Sequence, residues 1–228
     1  MGETLKDLGA AEVGLILPYL PYMRQDKRFS PGESITSVYF AKLLSNSFDW
    51  LITVDPHLHR RRSLNEIYSI PSTVLNANEK IAFWIKNNIH NPLIIGPDEE
   101  SLQWVASIAE TIKAPYVVAN KVRKGDAVVE VEVPLLEQYN HGTLVLADDI
   151  ISTGQTMAKT IVYLKSMGFH EIICVGTHAI FSGSAYEDLF MAGASKVVSC
   201  NTIEHGSNAV DLNDMIIRAI KTNFNGAV

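Results

Sequence analysis

Asp148 and Asp149 are adjacent carboxylates, and Ser152, Thr153, Gly154, Gln155 and Thr156 follow after two apolar residues. A loop that opens a helix offers free backbone N–H groups and the positive end of the helix dipole. Ser152, Thr153 and Thr156 add hydroxyl donors, and Gly154 lets the backbone approach a bound group. That combination is a cradle for a monophosphate. The two carboxylates, one strand end away, suit the vicinal hydroxyls of a sugar, so a sugar phosphate fits both halves at once. The competing reading is an ordinary turn into a helix with a solvated acidic pair. It is the weaker one, because adjacent carboxylates at a strand end repel unless a ligand or cation offsets them.

Four other groups carry chemistry-bearing side chains. Arg24, Gln25, Asp26, Lys27 and Arg28 form a dense basic run in an acidic chain. Arg24 and Lys27 suit a polyphosphate, the arginine through its two-pronged donor geometry; a solvated surface run is the alternative. His57 follows Asp55 and Pro56, with His59 two residues on, and a lone histidine is more often structural than a ligand. Arg60, Arg61 and Arg62 read as solvated or anion-attracting. Asp98, Glu99 and Glu100 open a helical stretch, where acids complement the dipole. Lys121 and Arg123 lie between two strand-like runs and by themselves read as a solvated hairpin tip.

These residues need elements to position them. The apolar run 144–147 is long enough for one buried strand ending at the acidic pair. Met157, Ile161, Leu164 and Met167 then recur at helical spacing, with Gly168 as the C-terminal stop. Strand-like runs at 13–17, 51–54, 93–95, 116–119, 128–133, 172–176 and 197–200 alternate with helical ones at 35–44, 79–88, 101–113, 185–191 and 214–221. That alternation predicts an α/β fold with mainly parallel sheets. Strands end in Asp55-Pro56-His57, Gly96-Pro97-Asp98 and Asp148-Asp149, and open parallel sheets bind ligands beyond those ends. A domain boundary is expected within 71–78, giving domains 1–74 and 75–228.

Composition narrows the classes. The 228 residues carry a net charge of −6 with 47% hydrophobic residues. An acidic chain lacks the basic face that nucleic acid requires. Cys174 and Cys200 sit in apolar runs and read as buried thiols of a reducing, cytoplasmic compartment. No stretch approaches membrane-spanning length, and no signal peptide opens the chain. Neither a Gly-x4-Gly-Lys-Ser/Thr loop nor a Gly-x-Gly-x-x-Gly fingerprint occurs, and no Cys/His set has zinc spacing.

The stretch 145–156 resembles the phosphoribosyl-diphosphate loop of type I phosphoribosyltransferases and ribose-phosphate diphosphokinases. Ser152 stands where many members carry a third Asp, and Gln155 where they carry a second Gly. The run 18–35 is similar to the nucleotide-binding segment of the diphosphokinases, which transferases using a nucleobase do not share. Asp55-Pro56-His57 resembles their Asp-x-His segment. Asp98 aligns with their metal-associated Asp, although Glu99, Glu100 and Ser101 replace the usual small, Gly-rich continuation. Lys121 and Arg123 resemble the Lys-x-Arg of their mobile catalytic loop.

The resemblance implies two tandem phosphoribosyltransferase-type domains, the first on the ATP side and the second on the ribose 5-phosphate side. It implies transfer of diphosphate from ATP to ribose 5-phosphate with Mg2+, in a homo-oligomer, without nucleic acid or membrane. Arg24, Gln25, Asp26 and His57 would face ATP, and His57 and Asp98 would stand near the metal. Asp148, Asp149, Ser152, Thr153, Gly154, Gln155 and Thr156 would hold the sugar phosphate, with Lys121 and Arg123 catalytic. Members of the family begin with roughly one further α/β unit. The first domain is therefore expected to be truncated, to self-associate and to bind ATP weakly. A phosphoribosyltransferase and a non-catalytic regulatory homologue are the rival expectations.

Overall fold

Trp50–Val54 is apolar but for one threonine, and all five of its residues are buried. Such a strand needs neighbours on both edges and cover on both faces. This computed structural model, which describes residues 1–124, 128–132 and 142–224, supplies them. The chain divides into two compact units, Met1–Asn76 with Asn213–Val228, and Ala77–Leu212.

The first unit runs α1 (Gly2–Asp7), β1 (Gly14–Ile16), α2 (Thr36–Ser47), β2 (Trp50–Val54) and β3 (Ser72–Leu75). The strands form one parallel sheet in the order β1-β2-β3. Leu20, Met23, Ala41, Leu44, Leu51, Leu64 and Tyr68 form its core beside β2. Asp49 accepts from the Val13 N–H at 2.7 Å and from Lys6 Nζ at 2.8 Å, which fixes the chain ahead of both β1 and β2. β3 occupies the stretch expected to hold only the boundary. The unit also takes in the last helix, Asn213–Phe224, which packs on β2 and β3. The sequence reading had placed that helix in the second domain.

The second unit contains α3 (Asn78–Asn88), β4 (Pro92–Gly96), α4 (Leu102–Ile112), β5 (Tyr116–Val118), β6 (Asn120–Lys124), β7 (Val128–Glu132), β8 (Thr143–Ile151), α5 (Gln155–Ser166), β9 (Ile172–Ala179), α6 (Ala185–Ala192), β10 (Lys196–Cys200) and β11 (Asn208–Val210). Six strands make a parallel sheet in the order β11-β10-β9-β8-β4-β5. Helices α5 and α6 bury Met157, Ile161, Leu164 and Leu189 against Leu93, Ile95, Leu144, Leu146, Ile172 and Cys174. Both cysteines are buried, and they form no disulfide. β6 and β7 pair antiparallel as a separate two-stranded sheet. Ala127 and Val133, expected at a loop end and a strand end, lie outside the described residues. Among the described residues no helix is long and apolar enough to cross a membrane.

The chain order reverses between β4 and β8. From β4 the chain goes outward to β5, and from β8 it goes the other way through β9, β10 and β11. At such a switch the loops leaving neighbouring strands part, and a crevice opens beyond their carboxyl ends.

Candidate functional site

The acidic pair stands at that switch. β8 pairs with β4 only as far as Leu146, opposite Ile95, but stays paired with β9 out to Ile151 and Ala179. The strand therefore does not stop before the acids, as its apolar run suggested; it carries them past the end of β4. Asp148 is half-buried and Asp149 is 4% exposed. The Asp149 N–H donates to Asp148 Oδ1 at 3.0 Å. Burial, the Asp149 carboxylate and the Asp98 carboxylate, in that order, push the Asp148 carboxyl well above its ordinary value.

Gly154 opens α5 with φ of 65°, a left-handed conformation that costs other residues about 1–2 kcal/mol. Among the described residues no side chain caps this helix end. Thr153 and Gln155 are exposed, while Ser152, Gly154 and Thr156 are half-buried. The uncapped N–H groups and hydroxyls are the donors a phosphate monoester takes.

The loop 180–184, after β9, braces this cradle from behind. The Ile180 and Phe181 N–H groups donate to the Ile151 carbonyl at 3.1 and 3.0 Å, and the Ser182 N–H donates to the Ser152 carbonyl at 3.0 Å. Ser152 and Ser182 hydroxyls lie 3.3 Å apart. Phe181 holds φ of 42° with its ring against Tyr186 and His205, 5.1 and 4.6 Å between centroids. Sequence reasoning missed this brace. Gly183 between two serines signals a turn, but only the β8–β9 pairing shows what the turn supports.

Asp98 sits across the switch, in the turn after β4. Its carboxylate accepts from the Glu100 N–H at 3.2 Å, and its carbonyl accepts from the Ser101 hydroxyl. A Cβ on Gly96 would stand 2.3 Å from that Ser101 oxygen, so the tight turn requires glycine there. Asp98 thus caps a short 3-10 turn, Glu99–Ser101, while lying close enough to Asp148 to disfavour its charge. Among the described residues no group of three His, Cys, Asp or Glu side chains is set to hold a metal ion.

Lys121 and Arg123 fall on β6, opposite Val131 and Val129, and not in a loop. Alternating polar and apolar residues at 120–124 read as loop because of their charge, yet alternation is also what a hairpin strand shows.

In the first unit, β2 delivers Asp55, which is buried with φ of 34°. Its N–H donates to the Leu75 carbonyl at 2.9 Å, and half-buried His57 follows, its ring 6.0 Å from that of His59. A strained residue at a strand end is a common mark of a functional site. Arg24 is exposed and Gln25 half-buried. The Gln25 carbonyl accepts from the Ser37 hydroxyl at 3.0 Å. The Asp26 side chain is only 2% exposed and is paired with Arg60 Nη1 at 3.0 Å. The arginine run is therefore not simply solvated: Arg60 is paired, and the Arg61 side chain is 15% exposed.

Comparison with known proteins places the chain. The phosphoribosyl transferase domain family matches residues 63–214, and the N-terminal domain of ribose phosphate pyrophosphokinase matches residues 1–47. The ribose-phosphate pyrophosphokinase of Methanobrevibacter smithii is 30% identical over 231 residues, covering 96% of this chain and 76% of that protein. That of Saccharolobus solfataricus is 32% identical over 207 residues, covering 89% of this chain and 69% of that protein. The crystal structure of phosphoribosylpyrophosphate synthetase from Mycobacterium smegmatis shares the fold, with a TM-score of 0.84 at 23% identity over 100% of this chain and 76% of that one.

Proposed function

The chain belongs to the phosphoribosyl transferase domain family and to the ribose-phosphate pyrophosphokinases, and from that membership we propose that it transfers diphosphate from ATP to ribose 5-phosphate. The anomeric oxygen of the sugar bonds to the β-phosphorus. The bond from that phosphorus to the oxygen bridging the α-phosphate breaks, AMP leaves, and the hydroxyl proton goes to solvent. The observation that carries this reading is an acidic pair beside an uncapped, glycine-opened helix at the switch between β4 and β8.

Asp148 and Asp149 hold the ribose hydroxyls, and Ser152, Thr153, Gly154, Gln155 and Thr156 hold the 5-phosphate. Arg24, Gln25, Asp26 and His57 form the ATP side. Lys121 and Arg123 stabilise charge on the transferring group, where positioning and electrostatics do most of the catalysis. Asp98 and Asp148 fit Mg2+, which takes one or two protein carboxylates and fills its shell with phosphate oxygens and water. When bound, the ion neutralises phosphate charge. The open edge of β1, where Ile16 is 40% exposed, supports a homo-oligomer, since such an edge pairs with another chain.

One observation favours a second reading. Glu99 and Glu100 are exposed carboxylates beside Asp98, where a diphosphate would have to approach. That suits a homologue that binds the sugar phosphate without turning it over. Incubating the protein with ATP, magnesium and ribose 5-phosphate separates the readings: AMP formed only with all three supports the transferase. Binding of ribose 5-phosphate without AMP supports the second reading. Consumption of phosphoribosyl diphosphate with a nucleobase, without AMP from ATP, indicates a phosphoribosyltransferase.

A further inference from the structure

Two consecutive arginines just past His57 reach back to the Gln25 and Asp26 stretch, and the proposed reaction leaves both unused. Arg60 Nη1 lies 3.0 and 3.1 Å from the two Asp26 carboxylate oxygens. Arg61 Nη2 lies 3.5 Å from the Ser37 hydroxyl oxygen. Ser37 in turn donates to the Gln25 carbonyl through its N–H at 3.3 Å and its hydroxyl at 3.0 Å. Arg61 approaches Glu66 only to 4.0 Å, and its Nε has no hydrogen-bond partner among the described residues.

Burial and charge decide what this arrangement does. The Asp26 side chain is 2% exposed, against 39% for Arg60. A carboxylate so withdrawn from water needs a cation beside it. It also lies two residues from Arg24, and an unpaired negative charge there would repel a polyphosphate. Arg60 removes that charge and fixes the loop at the same time.

We propose that Arg60 is a positioning residue for the nucleotide: it neutralises Asp26 and ties the loop bearing Arg24 and Gln25 to the loop bearing His57. Arg61, through Ser37, holds the same stretch at the Gln25 carbonyl. This rests on the reading that the first unit takes ATP. It assigns Asp26 to the support of the site, with its charge spent on Arg60.

The test is a double-mutant cycle on the full chain, with ATP and ribose 5-phosphate titrated separately by calorimetry. Arg60→Ala is expected to weaken ATP binding by about tenfold or more, since truncating one member of a hydrogen-bonded charge pair exposes the other. Arg60→Lys, which keeps the charge and preserves folding, should stay within about threefold of the natural chain. Adding Asp26→Asn to Arg60→Ala should restore ATP affinity by about threefold or more, because the unpaired carboxylate is gone. Ribose 5-phosphate affinity should be unchanged throughout. Losses that simply add in the double variant, or a lysine variant as weak as the alanine one, overturn the proposal and leave the functional reading standing. A natural chain that binds ribose 5-phosphate but not ATP overturns both the positioning role and the nucleotide reading of the first unit.

Discussion

Asp148→Asn is expected to make the folded protein more stable while abolishing its hold on the sugar. The Asp148 carboxyl is pushed well above its ordinary value of 3.8 by burial first, then by Asp149, then by Asp98. Against these, the Asp149 N–H donates to Asp148 Oδ1 at 3.0 Å, and asparagine keeps an acceptor oxygen for it. The substitution thus removes a half-buried, repelled charge and keeps its hydrogen bond. Relief of strain of this kind at a site is typically worth about 0.5–2 kcal/mol, or roughly 2–10 °C in melting temperature at about 3–5 °C per kcal/mol for a unit of this size. The pH dependence fixes the cause. Below the ordinary carboxylate range Asp148 is protonated in both folded and unfolded chains, and the acid is harmless. As pH rises, the unfolded chain ionises first, so the natural protein loses stability through the raised folded value. The variant does not. Thermal melts of both proteins should therefore show a gain that grows as pH rises above the ordinary carboxylate range and shrinks steadily as pH is lowered toward about 4. Equal melting at neutral pH, or a gain that persists undiminished in acid, would falsify the view that repulsion at the switch is what burdens Asp148.

Three further outcomes follow from the same geometry. Replacing Asp148 and Asp149 together by Asn should abolish ribose 5-phosphate binding with circular dichroism unchanged; unaltered affinity by calorimetry would remove the pair from the site. Gly154→Ala should cost about 1–2 kcal/mol through its left-handed backbone alone, because a Cβ there meets only ordinary contacts at 3.5 Å and beyond; denaturant titration with a much larger loss would point to a clash instead. Lys121→Ala should slow turnover far more than it weakens substrate binding, by about 3–4 kcal/mol of barrier as for other groups that meet developing charge; a raised KM at constant kcat would make it a ground-state contact.

Much of the second unit was legible from sequence because its signals are local. The helical spacing of Met157, Ile161 and Leu164 matches the buried face of α5, and Gly154 marks the helix start. What was not legible depends on partners far along the chain. β8 runs on through Asp148 and Asp149 because β9 is there to pair with it, and no property of two aspartates announces a strand. Arg60 reads as a solvated cation until the fold brings it to Asp26, 34 residues earlier. β3 is short and preceded by Pro71, so it reads as linker, yet it completes the first sheet by pairing with β2. The last helix has the periodicity expected of it, but periodicity does not say which sheet it covers.

Asp26 and Asp148 show two ways a fold can keep a poorly solvated carboxylate near an anionic ligand. Asp26 is neutralised from within, by Arg60, and its charge is already balanced when a ligand arrives. Asp148 makes no such ion pair among the described residues, and the Asp149 and Asp98 carboxylates oppose its ionisation. An internal ion pair gives a rigid loop whose electrostatics do not depend on what is bound. An unbalanced acid gives a site whose stability does depend on it. A cation or a pair of sugar hydroxyls that relieves the repulsion binds the folded chain and not the unfolded one, and so stabilises the fold by mass action. On this reasoning magnesium with ribose 5-phosphate should raise the melting temperature of the natural protein more than that of Asp148→Asn, whereas ATP alone should not distinguish the two. Differential scanning calorimetry of both proteins with each ligand measures this directly, and an equal shift in the variant would mean that the ligand gains nothing from the carboxylate.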